Sequence, residues 1–156
     1  MSNENKKQLK IAIDFDGTIV ENEYPRIGKE MLFAFETMKA LQEKRHHLIL
    51  WTFREGKRLQ DAVDYCQERG ITFYAVNKSY PEEVYQPNND QTPRKLNVDL
   101  FIDDRNLGGF PGWTRIYDML INKKADPRYM WLDKEAQVNY PLNRLIWLKI
   151  KSLFKK

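Results

Sequence analysis

A single cysteine, Cys66, stands among the 156 residues. No internal disulfide can form, and metal centres built on several thiolates are excluded. Leu59, Ala62 and Val63 precede Cys66 at helical spacing, which makes it a small core residue rather than a nucleophile. Histidine is equally scarce: His46 and His47 are adjacent, precede an apolar run, and read as surface or loop residues rather than ligands. No apolar run approaches the roughly 20 residues that a membrane-spanning helix needs. The first ten residues are polar and charged, without the apolar stretch of a secretory signal, so a reducing, cytoplasmic setting is expected. Internal repeats and low-complexity tracts are missing too.

What remains is the composition of an ordinary globular protein, 42% apolar and 31% charged. The length suits one domain with room for an appendage. The net charge of +4 is unevenly spread. Residues 1–104 carry 18 acidic and 15 basic side chains, whereas residues 105–156 carry 4 acidic and 11 basic. We therefore expect a core over 1–125 and a basic extension over 126–156. Within the extension, residues 140–156 can form an amphipathic helix with Leu142, Ile146, Ile150 and Leu153 on one face and Arg144, Lys151 and Lys155 on the other. Docking on the domain or on another subunit, as in a homo-oligomer, is the expected use. Nucleic acid or an anionic membrane surface are the alternatives.

Periodicity predicts alternating strands and helices. Short apolar runs at 9–13, 47–52, 71–76 and 99–102 read as buried strands, and 114–117 as a short fifth. Helical spacing over 28–44 (Met31, Phe35, Met38, Leu41) and 55–69 predicts two helices, the second ended by Gly70. Residues 80–94 hold three prolines and few aliphatics, and read as a long loop. This order predicts an α/β, Rossmann-like parallel sheet of about five strands flanked by helices. Three of the strands end in polar residues: Asp14, Thr52, and the pair Asp103 and Asp104. Ligands of open parallel sheets bind outside the carboxyl ends of the strands, so these endings should meet in space.

The expected meeting place holds four carboxylates, Asp14, Asp16, Asp103 and Asp104. Their mutual repulsion calls for a cation, and an oxygen-only donor set favours a hard one, Mg²⁺ before Ca²⁺. The run Asp14-Phe15-Asp16-Gly17-Thr18 can divide labour. A strand-held Asp14 can attack phosphorus, while Asp16 on the turn protonates the leaving oxygen and later deprotonates water. Gly17 lets the backbone bend tightly between them and the next segment.

These residues resemble the haloacid dehalogenase superfamily of phosphohydrolases. Asp14-Phe15-Asp16-Gly17-Thr18 fits its DxDG[TV] signature, Thr52 its strand-terminal Ser/Thr, and Asp103-Asp104 its acidic pair. The segments DFDGTIVENEYPRIG and RKLNVDLFIDDRNLGG are similar to small capless bacterial hydrolases. The resemblance spans about residues 9–120. It implies an aspartyl-phosphate on Asp14, acid–base work by Asp16, and a hydrogen bond from Thr52 to the transferring phosphoryl group. It further implies Mg²⁺ held by Asp14, by Asp16 through its carbonyl, and by Asp103 with Asp104. It implies a lysine beside Asp14, for which Lys95 is preferred and Lys78 is the alternative. Arg54, two residues past Thr52, would meet substrate or a neighbouring loop, or form a surface salt bridge.

No room for a cap domain lies after the first motif, so an open site for a phosphorylated substrate is expected. Arg105 would brace a loop. The rival expectation keeps the fold but not the turnover: a module that binds phosphate, with a basic tail for nucleic acid or lipid. A receiver domain carries similar residues in the wrong order, and no lysine placed for Schiff-base phosphonatase chemistry is evident.

Overall fold

A computed structural model describes residues 8–84 and 94–123. The expected extension 126–156, with its amphipathic helix, and residues 85–93 of the expected loop lie outside them. Four strands form one sheet: β1 (Lys10–Ile13), β2 (His47–Leu50), β3 (Ala75–Val76) and β4 (Leu100–Ile102). Helix α1 (Ala34–Glu43) joins β1 to β2, α2 (Gly56–Glu68) joins β2 to β3, and α3 (Trp113–Leu120) follows β4. All pairings are parallel and the strand order is β3-β2-β1-β4.

The core explains why these runs are strands. Ile11, Ile13, Leu48, Leu50, Leu100 and Ile102 turn one face of the sheet towards Met38 and Leu41 of α1, Ala62 and Cys66 of α2, and Trp113 and Ile116 of α3. Alternate residues Ala12, Ile49 and Ala75 face the other way and pack with Leu96, which lies on the crossover from β3 to β4. Side chains are thus buried on both faces, as parallel strands require.

The register sets up the site. Ile13 lies abreast of Leu50 on one side and Ile102 on the other. The next residues, Asp14 and Asp103, therefore leave adjacent strands side by side, at a strand spacing of about 4.8 Å. The amide of Asp14 carries the ladder one step further, donating to Ile102 O at 3.0 Å. The chain runs from β1 to β2 to β3 in one direction, then returns to place β4 on the opposite side of β1. The crevice between β1 and β4 is the topological switch point, where such sheets bind ligands.

Three expectations need correction. The sheet has four strands among the described residues, not five, because 114–117 lies within α3. Its alternation is the middle of a helical stripe, with Trp113 and Ile116 buried three residues apart. Helix α1 starts at Ala34 rather than near 28. Residues 29–31 are held against 19–21 instead, with Glu21 N donating to Lys29 O and Met31 N to Ile19 O, and Phe33 turns the chain with a positive φ of 64°. Strand β3 is reduced to two residues; ahead of it Tyr74 N still donates to Leu48 O of β2, while the amide of Thr72 is taken by the Gln42 side chain. Between β1 and α1, residues 21–33 form only turns and isolated bridges, so no cap stands there. No helix of the described residues is long and apolar enough to cross a membrane.

Candidate active site

Asp14 is fixed by its strand and then surrounded by local backbone. After Phe15 the chain turns tightly: Ile19 N and Val20 N both donate to Phe15 O, and Gly17 N donates to Val20 O at 2.7 Å. The turn is clamped from below, where the buried Trp113 donates its Nε1–H to Thr18 O at 2.7 Å. Thr18 Oγ1 lies 3.4 Å from Asp14 Oδ2.

Gly17 has a φ of +89°, a conformation that residues with a Cβ adopt only under strain. A Cβ there would also fall on Asp104, 2.8 Å from its Cγ and nearer still to Oδ2. The glycine thus makes the bend and leaves room for a carboxylate.

Asp14, Asp103 and Asp104 each present a carboxylate oxygen within 4.8 Å of the others. Asp103 is braced by its own loop: Arg105 N donates to its Oδ1 at 2.7 Å, and Asn106 Nδ2 to its carbonyl at 2.8 Å. Asp104 Oδ1 is buried without a hydrogen-bond partner. Leaving a carboxylate oxygen buried and bare is costly unless a cation faces it. Three converging carboxylates, one with such an oxygen, could together hold a metal ion.

Without a cation the charges act on one another. Burial pushes the Asp14 carboxyl up to about 7, the Phe15 N–H pulls it partly back, and the charges of Asp103, Asp104 and Asp16 add to the rise.

Asp16 is two residues from Asp14, but its carboxylate is turned to Arg54. Arg54 Nε donates to Oδ2 at 2.8 Å and an Nη to Oδ1 at 2.7 Å, a bidentate pair. The guanidinium is only 1% exposed. It is therefore not a surface salt bridge, and two more of its N–H groups go to the carbonyls of Pro25 and Arg26. Of the roles expected for Arg54, meeting a neighbouring loop is the one its geometry fills. The side chain is almost wholly buried, and four of its five N–H groups are hydrogen-bonded within the protein.

Thr52 follows β2 and is half-buried. Its Oγ1 accepts from Arg54 N at 3.2 Å, and its amide donates to Asn77 Oδ1 at 2.8 Å. The two candidate lysines are placed differently. Lys95 is exposed and borders a cavity of about 570 Å³ beside β4 and α3, together with Val98, Phe101, Ile116 and Met119. Lys78 donates its Nζ to Pro81 O. No hydrogen bond or ion pair joins either lysine to the acidic cluster among the described residues.

A scan of protein-family models gave no match, and neither did a search of curated proteins. A solved structure of a conserved protein from Bacteroides thetaiotaomicron does match, at 55% sequence identity and a TM-score of 0.69. The match covers 76% of this chain and 94% of that one. The chain belongs to the family of this conserved Bacteroides protein.

Kinship with the Bacteroides protein supports the fold, while the chemistry rests on the side chains of this family member. Sequence reasoning found the acidic cluster, Thr52 and Arg54 but passed over Asn77 and Trp113. Asn77 was findable, since it too is a polar residue directly after a strand, and the rule that selected Thr52 applies to it. Trp113 carried no such signal, because a Trp at helical spacing reads as core. Its indole nitrogen reaches Thr18, 95 residues away in the chain.

Proposed function

We propose that the protein is a magnesium-dependent phosphohydrolase of the haloacid dehalogenase type, with Asp14 as nucleophile. The observation that carries this reading is the meeting of Asp14, Asp103 and Asp104 at the switch point between β1 and β4. Asp14, Asp103 and Asp104 would hold Mg²⁺ through their side chains and Asp16 through its carbonyl. The bound ion supplies charge neutralisation that lets an anionic phosphate approach these carboxylates.

Asp14 then forms a bond to phosphorus as the bond from phosphorus to the leaving oxygen breaks. Asp16 gives its proton to that oxygen. In the second half it takes a proton from water, whose oxygen displaces the Asp14 carboxylate and frees inorganic phosphate. Thr52, just past the end of β2, would orient the phosphoryl group, and Lys95 or Lys78 would add positive charge. The orphaned Asp104 oxygen and the room made by Gly17 support the cation's place in this scheme.

The test is hydrolysis of 4-nitrophenyl phosphate by the full chain with Mg²⁺ and with chelator. Activity should require Mg²⁺ and fall by at least about a thousandfold in Asp14→Asn. Activity that survives in Asp14→Asn overturns the reading. A protein inert to a panel of phosphoesters that binds nucleic acid or anionic vesicles with steep salt dependence would instead be the binding module.

A further inference from the structure

We propose that Arg54 is the positioning residue of Asp16, tying its carboxylate to the 24–26 turn at the rim of the site. The inference rests on the reading above and adds to it a second layer that neither the motif nor the fold supplies. A guanidinium presents its donors in a rigid plane. Here two of them grip both oxygens of Asp16, at 2.8 and 2.7 Å, and two more reach Pro25 O at 3.1 Å and Arg26 O at 2.6 Å. The plane is also flanked by rings, with the Arg54 carbon 5.0 Å from the Phe15 ring centre and 5.4 Å from that of Tyr24.

Arg54 is therefore held on every side, and Asp16 inherits that rigidity. Its own backbone is anchored separately: Arg54 N caps the Thr52 hydroxyl, and Thr52 N is pinned to Asn77. A single buried cation thus joins the ends of β1 and β2 to a surface turn. A group that must hand a proton to one oxygen and take one from another has to be aimed, and a misplacement of about 1 Å costs on the order of a hundredfold. A lysine could keep the charge but not grip both oxygens and both carbonyls.

The test compares Arg54→Lys and Asp16→Asn, alone and together, on 4-nitrophenyl phosphate and on glycerol phosphate, whose alkoxide leaves poorly without a proton. Arg54→Lys should lower kcat on glycerol phosphate by about a hundredfold, and much less on the aryl ester, with KM within about threefold. In the Asp16→Asn background the same change should cost less than about threefold, because the group it positions is gone. Losses that multiply, equal losses on both esters, or a rise confined to KM would overturn the inference.

A readout independent of any Arg54 variant is amide exchange over residues 23–27. Exchange there should quicken at least tenfold in Asp16→Asn, and unchanged exchange overturns the tie to the turn. Activity surviving in Asp14→Asn would mark failure of the proposed reaction itself. Loss in Asp14→Asn with multiplying losses at Arg54 and Asp16 would mark failure of this inference alone.

Discussion

As the proposed nucleophile, Asp14 faces two conflicting demands: it must be ionised, yet its surroundings are low in dielectric and crowded with carboxylates. In the metal-free protein the outcome is a carboxyl raised from 3.8 to about 7, by burial first and neighbouring charge after. A raised native pKa means that the folded chain holds its proton longer than the unfolded one. The associated stability is fully present below about pH 4 and is lost as pH rises through 7. Thermal melts in chelator should therefore fall from pH 4.5 to 8, and Asp14→Asn should flatten that slope and gain about 1–3 kcal/mol at pH 8. A wild type with a slope no steeper than the variant's would refute the assignment.

Gly17 makes the complementary prediction. Gly17→Ala places a Cβ against Asp104 at a positive φ, costing about 1–3 kcal/mol by denaturant unfolding. It should weaken metal binding by displacing the same carboxylate. The identities of Asp14, Asp16, Gly17 and the acidic pair were readable because their chemistry is local to a strand end. The grip of Arg54 on Asp16 was not, since it joins residues 38 apart through side-chain directions that no spacing encodes.

At the level of elements, the boundaries that moved include those where distant groups capture the backbone. Helix α2 appears at 56–68 against an expectation of 55–69, because its i to i−4 bonds need no outside partner. The segments that shifted are those captured by distant groups: 29–31 by the backbone of 19–21, and Thr72 by Gln42. Helix α3 was misread because a four-residue window cannot separate alternation from a helical stripe. Its first residue is also its link to the site. Trp113→Phe keeps the ring in the core but removes the donor used by Thr18 O, and should cost about 1–3 kcal/mol in urea unfolding. Trp113 O also accepts from Thr37 Oγ1 of α1, a backbone contact that the substitution leaves in place. The expected loss is therefore local to the Asp14 turn. A variant as stable as wild type would show that the indole bond does not hold that turn.

For the whole molecule, the parallel sheet converts chain order into a single acidic focus, and that focus should couple folding to cation binding. The convergence of Asp14 with Asp103 and Asp104 was legible across a separation of 89 or more positions because strands of a parallel sheet share one carboxyl edge. A cation bound there binds the folded chain only, since the unfolded chain scatters its ligands. At a Mg²⁺ concentration one hundred times the dissociation constant the native state should gain about 2.7 kcal/mol. For a chain of this size that is a rise in Tm of about 5–10 °C. Protons and the cation compete for Asp14, so the gain should be full at pH 8, above its raised pKa, and shrink towards pH 5. Asp104→Asn removes the charge behind the unpartnered oxygen and should abolish most of the gain at either pH. Scanning calorimetry at pH 5 and 8, with and without Mg²⁺, separates the outcomes. An equal rise at both values, or one that persists in Asp104→Asn, would place the ion elsewhere and remove the support for a metal-assisted reaction at this crevice.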